Sequence, residues 1–142
     1  MSAELAIGAP ENAGAATPPA AAQLAAHLAP ETMPGWRVLL ESHWRTRLER
    51  VTELSLAYHD AEDARAGQPP ARAQSGPVLL RRAVAQRRAL AEIEAALARL
   101  SNGRFGRCER CGGVVSATRL TRTPQARYCI SCETGAEYSG PR

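Results

Sequence analysis

The sequence predicts a mainly α-helical protein: a long antiparallel coiled-coil hairpin of two helices leads into a small four-cysteine domain and follows a disordered tail. Two long segments carry mostly apolar residues at alternating spacings of four and three, the seam pattern of paired helices. The only cysteines stand in two Cys-x-x-Cys pairs near the end of the chain. With one phenylalanine, two tryptophans and three tyrosines in 142 residues, a large globular core is disfavoured.

Residues 1–33 are predicted to form the disordered tail. They are rich in alanine and proline and contain no arginine and no Phe, Trp or Tyr, so they offer little surface that folding could bury. The same stretch lacks the basic start and sustained apolar run of a secretory signal peptide. No segment approaches the ~20 apolar residues needed to cross a bilayer. We therefore expect a cytoplasmic protein without membrane contact.

The helical hairpin is expected at residues 34–103, with its tip at about 67–76. Thr32 is a candidate N-cap for the first helix, which must stop near Gly67 because two prolines follow. A proline at the start and a glycine at the end bound the second helix. The seam of the first helix consists of Leu40, Trp44, Arg47, Val51, Leu54 and Tyr58. The seam of the second consists of Leu79, Ala83, Gln86, Leu90, Ile93, Leu97 and Leu100.

The cysteines predict a zinc site in a domain at residues 104–138, followed by a flexible C-terminus at 139–142. Two Cys-x-x-Cys pairs 17 residues apart are typical of a zinc ribbon, in which a hairpin between the pairs brings four thiolates together. Gly112-Gly113 allows a tight turn in which backbone N–H groups face the sulfurs. Paired disulfides are the alternative, and the missing signal peptide disfavours them. The zinc ligands would be Cys108, Cys111, Cys129 and Cys132.

Positive charge clusters around the cysteines. The net charge of the chain is +4, and all 18 Lys and Arg residues are arginine. Between residues 99 and 127 there are seven arginines and one acid, Glu109. Such a patch suits an acidic protein surface or a phosphate backbone, and a solvated basic face is the simpler explanation. Candidate partner contacts in this region are Arg104, Arg107, Arg119 and Arg122.

The residues around the cysteines form a longer and more specific pattern. It comprises Gly-x-Phe-Gly-x-Cys ending at Cys108, Arg119-Leu120 and Pro124 between the pairs, and Cys129-Ile130-Ser131-Cys132. This pattern resembles the DksA/TraR zinc-finger family over about residues 77–135, with an architectural match back to residue 36.

The resemblance implies a bacterial transcription regulator that is not an enzyme. Family members bind RNA polymerase without binding promoter DNA. They insert the coiled-coil finger into the secondary channel, so that the tip approaches the catalytic centre while the zinc end rests on the rim. Such a factor acts by stabilising one polymerase conformation over another. The zinc would be structural, because four thiolates leave no position for water. We expect a monomer whose partner is RNA polymerase.

The tip departs from the family pattern. The Asp-x-x-Asp-x-Ala element of the best-known members would fall on Arg65, Gln68 and Pro70, none of which matches. The nearby acids Asp60 and Asp63 share a helix face. They are candidates for a shifted acidic tip that contacts the partner, although ordinary solvated acids would look the same.

A second departure concerns the alarmone guanosine tetraphosphate. Basic residues that help to bind it in the best-known members would fall on Glu92, Thr123 and Glu133, and none of these is basic. We therefore expect this protein to act independently of the alarmone.

The main alternative is a zinc-ribbon protein that binds nucleic acid. Its arginines would contact phosphates, and Phe105 or Tyr128 would offer stacking faces. A long hairpin has no evident purpose in such a protein. A purely structural or assembly role is a third possibility. An enzyme is disfavoured, because His43 and His59 are sixteen residues apart and not at the i, i+4 spacing of a helical metal pair.

Overall fold

Two long helices dominate the computed structural model, which describes residues 25–67 and 75–135. Helix α1 spans Met33–Arg65 and helix α2 spans Ser75–Ser101, and the two pack against each other. The short helices α3, Ala117–Arg122, and α4, Ile130–Glu133, follow. Most of the predicted tip, the chain before residue 25 and the predicted flexible C-terminus lie outside the described residues. Within the described ranges, no helix is long and apolar enough to span a membrane.

The predicted seam is confirmed by burial along both helices. Its buried members include Leu40, Val51 and Leu54 from α1 and Ala83, Ile93 and Leu100 from α2. The polar seam positions meet each other, since Arg47 Nη1 donates a hydrogen bond of 2.7 Å to Gln86 Oε1. A polar pair at matched seam positions favours one register of the helices over others, because any shift would leave both groups without a partner.

The end of α2 follows the predicted glycine. Gly103 adopts a φ of 69°, which favours a residue without Cβ. Its N–H donates to the carbonyl of Leu100 at 3.3 Å, and the N–H of Arg104 donates to the carbonyl of Arg99 at 2.8 Å. These two bonds form a Schellman motif. The motif turns the chain back on itself, so that Arg104 lies beside the last turn of the helix.

The hairpin base and the cysteine domain share one apolar core. Phe105 is 4% exposed, and Leu40, Val115 and Leu120 are all 0% exposed. The buried cluster comprises Leu40, Ile93, Ala96, Leu100, Phe105, Cys108, Val115, Leu120, Ala126 and Cys132. Two of the four cysteines belong to this cluster, so the metal site is part of the core that fixes the hairpin base.

The N-terminal boundary differs from the prediction, which placed all of residues 1–33 in the tail. Residues 25–32 form two 3-10 turns, Ala26–Leu28 and Pro30–Thr32, that pack onto the cysteine domain. We call this segment the N-terminal clasp. His27 Nε2 donates to the carbonyl of Val115 at 2.8 Å, and Trp36 Nε1 donates to the carbonyl of His27 at 2.7 Å.

Leu28 explains why the clasp docks where it does. Its side chain lies against Gly106, where a Cβ would come within 2.3 Å of Leu28 Cδ2. The φ of Gly106 is 73°, so glycine provides both the backbone turn and the space for the leucine. Thr32 precedes α1 as predicted, but its hydroxyl does not cap that helix. It donates instead to the carbonyls of His27 and Ala29 and holds the clasp in shape.

The segment between the cysteine pairs also differs from the prediction of a hairpin. It contains helix α3, and the isolated antiparallel bridge between Arg107 and Val114 joins residues on either side of the first cysteine pair. The Ser116 hydroxyl accepts a hydrogen bond from the N–H of Arg119 at 3.3 Å, which caps α3. Leu120 from this helix is fully buried. The helix forms because it supplies an apolar anchor to the shared core.

Candidate metal centre

The four cysteine sulfurs converge on one site. All four lie within 4.8 Å of one another, and the Sγ atoms of Cys111 and Cys129 are 3.8 Å apart. A tetrahedron with Zn–S bonds of about 2.3 Å has edges of about 3.8 Å. The spacing therefore fits a four-thiolate zinc site. The converging sulfurs are those of the four cysteines predicted as ligands, Cys108, Cys111, Cys129 and Cys132, and their number and spacing suit one structural zinc.

Backbone hydrogen bonds shape the first cysteine pair. The N–H of Cys108 donates to the carbonyl of Gly113 at 2.8 Å, and the N–H of Gly112 donates to the carbonyl of Cys108 at 2.9 Å. Gly112 has a φ of 71°. The N–H of Gly113 lies 3.4 Å from Cys111 Sγ, so the predicted turn with an N–H group facing a sulfur is confirmed. Such donors stabilise the charge of a thiolate ligand.

The second pair is held by the start of α4 and by links to the first pair. The N–H of Glu133 donates to the carbonyl of Cys129 at 3.0 Å. Arg110 Nη1 donates to the carbonyl of Cys132 at 2.9 Å. The N–H of Glu109 donates to the carbonyl of Arg127 at 2.9 Å. The two pairs are therefore joined by hydrogen bonds as well as by their common metal.

The thiol pKa values differ sharply within the site. Burial raises the pKa of Cys132 to about 12, and hydrogen bonds with the neighbouring thiols act in the same direction. Burial also disfavours the Cys108 thiolate, but N–H donors of Cys111, Cys129 and Arg110 outweigh it and lower the Cys108 pKa to about 6. At neutral pH Cys108 is a thiolate, the form that binds zinc.

One carboxylate organises two arginines beside the metal site. Arg99 is 8% exposed, and its Nη1 lies 3.5 Å from Glu109 Oε1. Arg127 Nη2 lies 2.8 Å from Glu109 Oε2. Hydrogen bonds from Arg127, together with the nearby positive charge of Arg99, hold the pKa of Glu109 below its usual value. Besides its ion pair with Glu109, Arg99 donates a hydrogen bond of 3.1 Å from Nη2 to the carbonyl of Gln125.

The four arginines predicted to contact a partner do not behave alike. Arg104, Arg107 and Arg122 are exposed, and the guanidinium of none of them has a hydrogen-bond or ion-pair partner within residues 25–67 and 75–135. Arg119, in contrast, donates from Nε to the carbonyl of Tyr128 at 3.0 Å and forms an ion pair with Glu133. Its guanidinium is engaged within the domain.

The two acids predicted at the tip lie far from these arginines. Asp60 and Asp63 are exposed in the last turns of α1. Leu40, near the other end of that helix, belongs to the core beside the cysteines. At 1.5 Å per residue, Leu40 and Asp63 are about 35 Å apart along the helix. The structure therefore does not bring the predicted acidic and basic contacts into one site.

The predicted stacking residues are not free aromatic faces. Phe105 is buried in the core, with its ring centroid 5.6 Å from that of Trp36. Tyr128 has the guanidinium carbons of Arg110 and Arg127 at 5.6 and 5.8 Å from its ring centroid. Phe105 cannot stack on a base without leaving the core, which corrects that part of the nucleic-acid alternative.

The clasp residues and the Glu109 ion pairs are not predicted from the sequence. No periodic pattern marks His27 or Leu28, whose partners are distant in the chain. Glu109 had a usable signal, since it is the one acid among seven arginines between residues 99 and 127. A lone carboxylate in such a stretch is expected to pair with more than one of them.

Comparison with known proteins agrees with this site. Residues 103–138 match the model of the prokaryotic dksA/traR C4-type zinc finger. The chain is 31% identical over 105 residues to the RNA polymerase-binding transcription factor DksA of Escherichia coli K12, covering 72% of this chain and 69% of that protein. It is 40% identical over 52 residues to the Haemophilus influenzae protein of the same name, covering 37% of this chain and 36% of that protein.

A solved structure shares the fold. The transcription factor DksA2 from Pseudomonas aeruginosa matches with a TM-score of 0.72 and 24% identity, over 79% of this chain and 88% of that one. The relatives are named as transcription factors, in agreement with the expectation that this protein is not an enzyme. The sequence identity over 72% of the chain and the matched four-cysteine finger show that this chain belongs to the DksA/TraR zinc-finger family.

Proposed function

We propose that this protein is a bacterial, cytoplasmic transcription regulator that binds RNA polymerase through its secondary channel. The observation that carries the proposal is the 31% identity over 105 residues to a protein named as an RNA polymerase-binding transcription factor. The shape of the hairpin supports it. Helix α1 has 33 residues and is therefore about 50 Å long, so two such helices form a finger suited to a narrow channel.

The geometry of the zinc site supports a structural role for the metal, in which it holds the base of the hairpin rigid. All four positions of the tetrahedron are taken by sulfur, which leaves none for a reacting water. Cys108 and Cys132 lie in the same core as Leu40 and Ile93 of the hairpin. The metal would hold the base of the finger rigid on the channel rim while the distal end reaches inward. The protein would then act by stabilising one polymerase conformation over another.

The distal end would present Asp60 and Asp63 to the polymerase. Both carboxylates are exposed, and neither forms an ion pair with any residue in the described part of the chain. They lie three residues apart and therefore share a face of α1. Free carboxylates at this position could contact a bound metal ion or a basic loop of the partner.

Action independent of guanosine tetraphosphate is part of the proposal. Glu92 is exposed on α2, Thr123 ends α3, and Glu133 forms an ion pair with Arg119. None of these three side chains can donate a charged hydrogen bond to a phosphate. Two of them are carboxylates that repel one.

Retention by core RNA polymerase, followed by transcription with and without the alarmone, tests this function. We expect the zinc-loaded protein to be retained and Cys108→Ser to lose retention, because the base of the finger is no longer held. The double variant Asp60→Asn, Asp63→Asn should still bind but alter transcription less than the parent. Failure of the parent to bind core polymerase would refute the proposal. An alarmone affinity that rises when the protein is added would refute only the alarmone-independent part.

We propose that the protein acts as a monomer and without direct contact to DNA. The buried Phe105 and the engaged Arg119 remove two of the groups that a nucleic-acid interface would use. Arg104, Arg107 and Arg122 remain available to phosphates. DNA affinity that falls steeply with salt, without retention by core polymerase, would favour the nucleic-acid alternative instead.

A further inference from the structure

The distal half of the finger carries opposite charges on its two helices. Residues 49–63 of α1 contain five acids and one arginine, a net charge of −4. Residues 75–91 of α2 contain four arginines and no acid, a net charge of +4. Among the residues that the structure describes, no ion pair joins α1 to α2. The opposite charges therefore do not hold the hairpin together.

The acids of α1 form a stripe on the side of the helix that faces away from α2. Its members are spaced by 4, 3, 4 and 3 residues, so each lies on the same face as the next. Most of them lie two residues from a seam position, which is about 200° around the helix from the buried side. The stripe, which we call the acidic edge, consists of Glu49, Glu53, Leu56, Asp60 and Asp63.

The acidic edge is open to solvent. All five of its residues are exposed, and the apolar member, Leu56, is 61% exposed. Glu53 forms an exposed ion pair with Arg50 on its own helix. The other three acids of the edge have no ion pair within the described part of the chain.

Helix α2 carries a matching stripe of opposite charge. Its members have the same spacing of 4, 3, 4 and 3 residues, and each lies two residues from a position of the α2 seam. All five are exposed, and neither arginine has a partner for its guanidinium within residues 25–67 and 75–135. The stripe, which we call the basic edge, consists of Pro77, Arg81, Val84, Arg88 and Ala91.

The register of the hairpin brings the two edges to the same height along the finger. Arg47 contacts Gln86 across the seam, and α1 and α2 run in opposite directions. Each step along α1 therefore corresponds to an equal step back along α2. Glu49, Glu53 and Leu56 lie level with residues 84, 80 and 77 of α2, so the acidic and basic edges overlap without any offset between neighbouring fingers.

We propose that this protein self-associates through its fingers, with the acidic edge of one copy against the basic edge of a second copy. In parallel fingers at equal height, Glu53 lies beside Arg81 of the second copy, and Leu56 lies beside its Pro77. Opposite charges beside apolar contacts select both partner and register, as in coiled coils. A foreign partner would account for one edge, whereas a second copy accounts for the charge, spacing and height of both.

Self-association and entry into the polymerase channel exclude each other, a consequence that rests on the proposed function. A helix with its side chains is about 10 Å wide, so two fingers side by side are twice as wide as one. The interface also covers Asp60 and Asp63 of one copy. The single chain remains the form that acts on polymerase, and the associated form is a reserve that releases it as the concentration falls.

Sedimentation equilibrium of the zinc-loaded full chain tests the proposal. Polymerase is absent, so failure here is distinct from failure of the proposed regulatory function. We expect the average mass to rise with concentration, with a dissociation constant on the order of 0.1 mM, because exposed ion pairs are individually weak. Raising the salt from about 0.05 M to about 0.5 M should weaken association by about fivefold, since the charges are then screened.

Charge reversal shows whether the two edges form the interface. The double variant Arg81→Glu, Arg88→Glu should weaken self-association by about tenfold or more, because two acidic edges would then meet. The double variant Glu53→Arg, Asp60→Arg should do the same with two basic edges. An equimolar mixture of the two variants should associate again, within about threefold of the parent, since opposite charges meet whichever edges pair.

The double variant Arg104→Glu, Arg107→Glu is the matched control, because it changes the net charge equally but lies in the zinc domain. It should weaken association by no more than about twofold. Zinc content and circular dichroism verify that each variant is folded. A parent that stays monomeric at every concentration would overturn the proposal. Equal weakening by the control, or a mixture that stays monomeric, would also overturn it by showing that association does not depend on these edges.

Discussion

At the scale of single residues, the Glu109 carboxylate allows a buried arginine to exist at the hairpin base. Arg99 is 8% exposed, and a buried guanidinium requires a charged or polar partner. Glu109 supplies it and also binds Arg127. The three side chains link α2 to both cysteine pairs.

Replacing Glu109 with Gln should destabilise the protein by about 1–2 kcal/mol, because Arg99 loses its carboxylate partner. Chemical denaturation with zinc present measures this change. Glu53→Gln is the control, since its ion pair with Arg50 is exposed and such pairs contribute at most about 0.5 kcal/mol on a helix. Equal effects of the two variants would show that the Glu109 contacts add nothing beyond surface charge.

Gly106 is a second single residue of this kind, because the docking of the N-terminal clasp depends on it. Gly106→Ala should lower stability by about 1–3 kcal/mol, because the left-handed φ is strained for alanine and the new Cβ would displace Leu28. The clasp should detach, which limited proteolysis near residue 28 would detect. Gly35→Ala is the matched control: a Cβ there meets nothing within 4 Å. Unchanged protease resistance in Gly106→Ala would contradict this account of the clasp.

The unequal thiols predict how many protons zinc binding releases. In the folded arrangement of the site, Cys108, with a pKa of about 6, is already ionised at pH 7.5. Cys132, with a pKa of about 12, must lose its proton to the solvent. We expect zinc binding at pH 7.5 to release more than one proton but fewer than four, and zinc affinity to increase with pH. Calorimetry in buffers of different ionisation enthalpy counts these protons. A count of zero or of four would contradict the assignment.

At the scale of secondary-structure elements, the hairpin follows from the sequence. The four–three spacing gave the seam, and Gly103 marked the end of α2, because both signals are local to one helix. Arg47 interrupts an otherwise largely apolar seam, and only the structure shows that it faces Gln86. The cysteine spacing identified the metal ligands for the same reason, since the turn around Gly112 is local.

The remaining elements could not be predicted from local patterns. The clasp depends on His27 and Leu28 meeting residues near 106 and 115, and an alanine-rich segment carries no periodic signal for such contacts. Helix α3 has six residues and is too short to form without the core that Leu120 enters. The partners of Arg119 could not be predicted either, because its contacts depend on how the zinc domain folds and not on the sequence around it.

Packing between the helices is tested by the seam residue Ile93, which is 1% exposed. Ile93→Ala should lower the free energy of unfolding by about 2–4 kcal/mol, through lost apolar burial and a residual cavity. Leu56→Ala is the comparison, because Leu56 is 61% exposed and its truncation should change stability by no more than about 0.5 kcal/mol. Thermal unfolding followed at 222 nm gives both values. A similar effect at the two positions would argue against the assigned seam.

At the scale of the whole molecule, the zinc site and the hairpin base are one structural unit. Their common core means that metal loss should affect residues well beyond the cysteines. Trp36 is a natural reporter, since it contacts Phe105 and binds the carbonyl of His27. Trp44→Phe leaves Trp36 as the only tryptophan, so its fluorescence can be followed alone.

Chelation of zinc should shift Trp36 emission to longer wavelength and reduce helical signal at 222 nm. Folding of four-thiolate domains depends on the metal, and the clasp and hairpin base should loosen together. Re-addition of zinc should restore both signals. Emission that stays unchanged after complete zinc removal would show that the base of the hairpin folds independently of the metal.

Site-specific photo-cross-linking to core RNA polymerase tests the central claim most directly. A photoreactive residue replaces Asp63, near the distal end of the finger, and a second version carries it at Arg122 in the zinc domain. We predict that the position 63 probe cross-links to polymerase segments inside the secondary channel and close to the catalytic centre. The position 122 probe should mark only the outer rim. Cross-links from position 63 to the polymerase exterior, or none above background from either site, would contradict the proposed mode of action.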